Sequence, residues 1–134
     1  MTVDLIVVGK TDSEAVQSLV DQYMRRINHY IKFSIITVPD LKNTKSLTPG
    51  TQKRQEGETL MRQIGEGDYV VLLEERGSEY RSAEFAAWLQ KRMNSGLRRL
   101  VFIIGGPYGF SESVYARANG AISLSRMTFS HQIV

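Results

Sequence analysis

Cysteine is absent from this chain of 134 residues. That excludes disulfides, thiolate nucleophiles and cysteine-based zinc sites. No apolar run approaches the roughly 18 residues of a membrane-spanning helix, and the N-terminus lacks a signal-peptide pattern. A cytoplasmic protein is the expectation. There is no internal repeat and no low-complexity tract. The Gly-Lys-Ser/Thr of a phosphate-binding loop is missing. The first apolar run ends in VVGKTDSE (Val7–Glu14), with one glycine where a dinucleotide fingerprint needs three, which speaks against a nicotinamide enzyme or a methyltransferase of the common Rossmann type. No Ser-His-Asp spacing, paired-His motif or acidic metal cluster stands out, so hydrolysis and metal chemistry have no support and no metal is expected.

What is present is ordinary for one domain: 42% hydrophobic and 23% charged residues. A chain of this size buries roughly 65–70% of its surface on folding, enough for a core without covalent staples. The net charge of +3 and pI of 9.3 permit an anionic partner such as RNA without demanding one. Apolar runs at Val3–Gly9, Phe33–Val38, Tyr69–Glu75, Leu100–Ile104 and Ala121–Ser125 predict strands. Between them, Val16, Leu19, Val20, Tyr23, Ile27 and Tyr30 recur at helical spacing and predict a helix from Ser13 to Ile31. A charged helix is predicted over Thr51–Ile64 after a loop at 40–50. A third begins with Ser82 as N-cap and ends at Gly96, and a short fourth is capped by Ser111 and ends near Asn119. The alternation predicts an α/β domain with a mostly parallel sheet of five or six strands, covered by helices on both faces. Ligands of such sheets lie beyond the C-terminal strand ends. Three stretches fall there: Leu73–Gly77, Gly105–Phe110 and Ser125–Ser130.

Gly105, Gly106 and Gly109 fit a tight strand-to-helix turn. They equally fit a loop stiffened by Pro107 whose backbone groups hold a nucleoside. Ser123–Gln132 is dense in hydroxyls and carries Met127, Phe129 and His131; it fits either a solvated loop or part of a site. His29 is an ordinary helix-end residue. Lys42, Lys45, Lys53 and Arg54 form one basic cluster and Arg98 with Arg99 another, either solvated faces or a phosphate-contacting surface. Tyr80 and Tyr108 could stack on bases, or Tyr108 could roof a pocket.

Three segments together carry a family resemblance: VVLLEERGSEYRSAEFA (Val70–Ala86), FIIGGPYGF (Phe102–Phe110) and ISLSRMTFSHQ (Ile122–Gln132). They resemble the SPOUT class of trefoil-knotted methyltransferases, most closely the small single-domain RlmH type that methylates N3 of a pseudouridine in 23S rRNA. Val8-Gly9-Lys10, Val38-Pro39-Asp40 and Glu56-Gly57-Glu58 agree with it, so the likeness spans the chain. The resemblance implies S-adenosylmethionine held in the knot by Leu73, Gly105, Gly106, Ser125, Arg126, Met127, Thr128, Phe129 and Ser130. On this reading His131 is the expected catalytic residue near the reacting base, the basic cluster of Lys42, Lys45, Lys53 and Arg54 is the expected rRNA contact, and the assembled ribosome is the expected substrate. Members of the class continue past Ser-His-Gln with a helix and a tail, which would build much of a homodimer interface and supply catalytic groups. This sequence ends at Val134, so truncation at the C-terminal end is the expectation. A non-catalytic RNA- or ribosome-binding module using the basic face alone is the rival; it has no need of the glycine loop.

Overall fold

The computed structural model describes residues 1–10, 13–41, 46–125 and 127. Five strands and four helices alternate: β1 Thr2–Val8, α1 Glu14–Ile27, β2 Lys32–Val38, α2 Pro49–Met61, β3 Tyr69–Glu79, α3 Ser82–Asn94, β4 Arg99–Ile104, α4 Glu112–Arg117 and β5 Gly120–Ser123. The strands form one sheet in the order β2-β1-β4-β3-β5, and every pairing is parallel. The α/β expectation therefore holds, with five strands among the described residues. The stretch after Ser125, on which the expected knot depends, lies mostly outside them.

Both sheet faces are covered, which is why β4 reads as an unbroken apolar run: Leu100, Val101 and Ile103 are all fully buried. Leu60 of α2 and Val114 of α4 pack with Ile6, Val70, Leu72, Val101 and Ile103 on one face. Phe85, Trp88 and Leu89 of α3 pack with Val3, Val71, Leu100 and Phe102 on the other. There Trp88 stacks on Phe85 at 5.8 Å, and the Arg92 guanidinium lies 4.5 Å from the Trp88 ring. The β1→β2 and β3→β4 connections step the same way across the sheet, so a common right-handed crossover puts α1 on the α3 face.

Element ends follow local chemistry, and several depart from the expected bounds. Helix α2 starts at Pro49 rather than Thr51: proline suits the first turn, and the Thr51 N–H bonds to the Thr48 hydroxyl at 3.1 Å. It ends at Met61, not Ile64. Helix α1 ends at Ile27, because the Asn28 amide binds the Met24 and Phe33 carbonyls and accepts the Phe33 N–H. Ser82 is the first helical residue of α3 and not its cap. Arg81 holds that position, and its N–H is taken by the Glu84 carboxylate at 2.9 Å. Helix α4 ends at Arg117. Asn119 then mimics a strand residue, accepting the Val70 N–H on its side chain and donating its own N–H to the Val70 carbonyl. Strand β5 stops at Ser123, and β3 runs on to Glu79.

Arg99 corrects the expectation of a basic patch with Arg98. Its guanidinium bonds to Asp4 and to Asp68, each at 2.6 Å, and to the Gln63 carbonyl at 3.0 Å. It ties β1, β4 and the α2–β3 turn together at the N-terminal end of the sheet. Burial alone would raise the Asp4 carboxyl. Hydrogen bonds from Ser34 and Arg99, with the charges of Arg99 and Lys32, outweigh that and hold it below its usual 3.8. Burial alone would lower Arg99, and the two carboxylates outweigh it and raise it. A carboxyl lowered in the folded state adds stability above its unfolded value, and that stability is lost as pH falls through the folded one. Arg99→Met should therefore cost about 2 kcal/mol at neutral pH, short of a fully buried pair because all three side chains keep some solvent contact. In urea titrations the deficit should shrink below pH 4. Equal midpoints for variant and parent at pH 7 would show that the triad adds nothing.

Candidate functional site

The register brings the three expected segments to one edge. Leu73 of β3 stands opposite Ile104 of β4 on one side and Ile122 of β5 on the other. The chain leaves the sheet just after each: into Glu74–Gly77, into Gly105–Gly109 and towards Ser125. The connection after β1 covers one face and that after β4 the other. The C-terminal ends of these adjacent strands are therefore the point where the connections change face, beside the glycine loop.

The glycine loop is a closed turn. The Gly109 N–H reaches the Gly106 carbonyl at 3.2 Å, and Gly109 has φ +81°, a conformation that favours glycine. At Gly105 and Gly106 a side chain would meet the protein's own atoms. A Cβ on Gly105 would lie 3.0 Å from Cε1 of buried Phe110. A Cβ on Gly106 would overlap the carboxylate of Glu56, lying 2.6 Å from Oε1 and 2.9 Å from Cδ. Glu56 projects from α2 and is only 6% exposed. The next residue, Gly57, is the point where α2 meets α4: a Cβ there would overlap the Ser111 hydroxyl and sit 3.3 Å from Cγ2 of Val114. The Glu56-Gly57 pair thus fixes α2 against both ends of the loop.

The segment after Leu73 is equally constrained. Leu73 and Ser78 both register against Ile122, so Glu74–Gly77 form an excursion that leaves the ladder and returns to the same partner. Gly77 lies over the β5 backbone. The Tyr115 hydroxyl donates to the Glu74 carboxylate. At the β1 and β2 ends, Gly9 (φ 77°) abuts the Asp40 carboxylate, which accounts for the proximity of Val8-Gly9-Lys10 to Val38-Pro39-Asp40.

Of the residues assigned to the cofactor, Leu73, Gly105, Gly106 and Ser125 meet at this edge. Met127 is largely exposed. Arg126, Thr128, Phe129, Ser130 and His131 lie outside the described residues, as do Lys42 and Lys45. Lys53 is partly exposed and Arg54 exposed on α2, where Arg54 touches the Thr51 hydroxyl at 3.4 Å. Tyr108 is 49% exposed, whereas Tyr80 leans on Trp88, ring centroids 6.4 Å apart. His29 follows the end of α1 and is exposed. Nothing in the sequence around Tyr115 sets it apart. The signal for Glu56 was the glycine beside it, since a glycine inside a helix marks close packing.

Residues 1–134 match the family model described as predicted SPOUT methyltransferase. The chain is 52% identical over 134 residues to Ribosomal RNA large subunit methyltransferase H of Christiangramia forsetii. It is 49% identical to the protein of that name from Flavobacterium johnsoniae and 51% to that from Bacteroides fragilis. Each comparison covers all of this chain and 85% of the relative.

Proposed function

We propose, starting from the fact that this chain belongs to the SPOUT methyltransferase family, that it methylates N3 of a pseudouridine in 23S rRNA on the assembled ribosome, with S-adenosylmethionine as donor. The relatives' name, ribosomal RNA large subunit methyltransferase, supports the substrate class, and an rRNA substrate puts the protein in the cytoplasm. The observation that carries the site is the side-by-side ending of β4, β3 and β5, which gathers Leu73, Gly105 and the approach to Ser125.

These residues suit the cofactor in kind. Leu73 offers an apolar wall to the adenine. Backbone N–H and C=O groups of Gly105, Gly106 and Ser125 offer directional partners to a base and its ribose. When bound, S-adenosylmethionine supplies an electrophilic methyl group on a sulfonium, so the chain's own work is positioning. The Gly106–Gly109 turn, held by Glu56, keeps the donor and acceptor groups fixed. The acceptor N3–H must lose its proton, and His131 is assigned to the neighbourhood of that base. Lys53 and Arg54, with Lys42 and Lys45, are assigned to rRNA phosphates. The exposed apolar residues of α1, Val16, Leu19 and Tyr23 (39%, 55% and 56%), favour a homodimer.

The test is methyl transfer to ribosomes that lack the modification, read as one added methyl group in nuclease fragments of 23S rRNA by mass spectrometry. Methylation at a pseudouridine is expected. Ribosomes left unmodified although the chain binds the cofactor would remove this substrate. In ribosome-binding titrations over a range of salt, Lys53→Glu with Arg54→Glu should weaken binding and flatten its salt dependence by about one unit of slope for each phosphate no longer neutralised, with cofactor affinity by calorimetry unchanged. An unaltered slope would take this face of α2 out of the RNA contact.

A further inference from the structure

Tyr115 of α4 touches two of the three edge segments at once. Its hydroxyl donates to Oε2 of Glu74, the first residue of the excursion after Leu73. Its ring meets Phe110 edge-on, with centroids 5.9 Å apart at 82°. Phe110 is buried, and its own ring fills the space beside Gly105. An unbroken path of contact therefore runs from Glu74 through Tyr115 and Phe110 to Gly105. The β3–β4 ladder stops at Leu73 and Ile104, so strand pairing does not join the two segments beyond that point. Burial, then the hydrogen bond to the Glu74 carboxylate, push the Tyr115 hydroxyl up to about 12, so it keeps its proton and donates at neutral pH.

We propose that Tyr115 is a positioning residue that couples the Glu74–Gly77 excursion to the glycine loop and sets both walls of the cofactor site before the cofactor arrives. This rests on the cofactor site proposed above. Segments held by few ladder hydrogen bonds open at small free-energy cost. Ordering them on binding lowers affinity, and a contact that orders them beforehand restores it. The hydroxyl acts through Glu74 and the ring through Phe110, so removing the hydroxyl alone should loosen the excursion and leave the core side of α4 intact.

The experiment is calorimetry of S-adenosylmethionine and S-adenosylhomocysteine on the parent and four variants, with the unliganded Tm and the rate at saturating cofactor measured alongside. Tyr115→Phe keeps the ring. It should raise Kd for both ligands about tenfold, the worth of one charge-assisted hydrogen bond, with the saturated rate unchanged. Glu74→Ala should match it. Glu74→Gln, whose neutral amide oxygen still accepts a weaker hydrogen bond, should fall between the parent and Glu74→Ala. The combination of Tyr115→Phe and Glu74→Ala should be no worse than either alone. A merely structural tyrosine would lower Tm and leave both Kd values alone, and that result would overturn the positioning role, as would additive losses in the double variant. A parent that binds neither ligand would remove the cofactor site itself, and the inference with it.

Discussion

Gly77→Ala should lower the melting temperature by about 10 °C, corresponding to about 3 kcal/mol for a domain of this size. The added Cβ would lie 2.6 Å from the carbonyl carbon of Ala121, 2.6 Å from the nitrogen of Ile122 and 2.7 Å from its carbonyl carbon. All three are backbone atoms of β5, so no side chain can swing aside. Glu74–Gly77 must return to the Ile122 register that Leu73 left, and the path back crosses directly over that backbone. Only a hydrogen fits. The alternative is for β5 to separate from β3, which exposes Ile122, a residue buried against Val71 and Leu100. Gly50→Ala is the control: its Cβ meets nothing within 4 Å in the first turn of α2, and replacing a helical glycine should raise stability by about 0.5–1 kcal/mol. Thermal denaturation checks both, and hydrogen exchange at Gly120–Ser123 locates the damage. A Gly77→Ala protein that melts with the parent would show that the excursion can shift at no cost.

The strands were legible because nothing competes with a buried β-branched run: Val3–Val8 and Leu100–Ile104 have no other use in a domain of this size. Their alternation with helices gave a parallel sheet and, with it, the convergence of Leu73, Gly105 and Ser125 at one edge. Caps were less legible. Ser82 is the better capping residue by type, but the carboxylate that closes the turn is Glu84, three residues after Arg81 and only two after Ser82. Arg98 and Arg99 look alike as a dipeptide. Tertiary contact separates them, because Asp4 and Asp68 come from two distant segments to enclose Arg99. Glu56 is set apart from its charged neighbours Lys53, Arg54 and Glu58 only by the glycine that follows it. Nor does spacing announce Tyr115 and Glu74, which are 41 residues apart and meet only once α4 has packed.

Gly106→Val should abolish measurable cofactor binding, a loss of at least about a hundredfold, in a protein that still folds. The obvious cause would be a valine methyl standing where the cofactor belongs. The geometry gives a different one. The new Cβ would overlap the Glu56 carboxylate, and Glu56 is only 6% exposed, so the carboxylate would have to shift within packed surroundings. Helix α2 packs closely there, with a Cβ on Gly57 falling 3.1 Å from the Cβ of Ser111 and 3.3 Å from Cγ2 of Val114, so moving it would give up that packing. The strain then falls on the loop, whose turn is closed by one hydrogen bond between Gly109 and Gly106. Displacing it carries the backbone groups of Gly105 and Gly106 away from the cofactor, and small misplacements of such groups are costly. The two causes separate in a rescue experiment. Gly106→Ala should weaken binding of S-adenosylhomocysteine, and adding Glu56→Ala should return it to the level of Glu56→Ala alone, because the obstructing carboxylate is gone. No recovery in the double variant would mean that the side chain at 106 meets the cofactor directly. Unchanged affinity in Gly106→Val itself would move the site away from this loop.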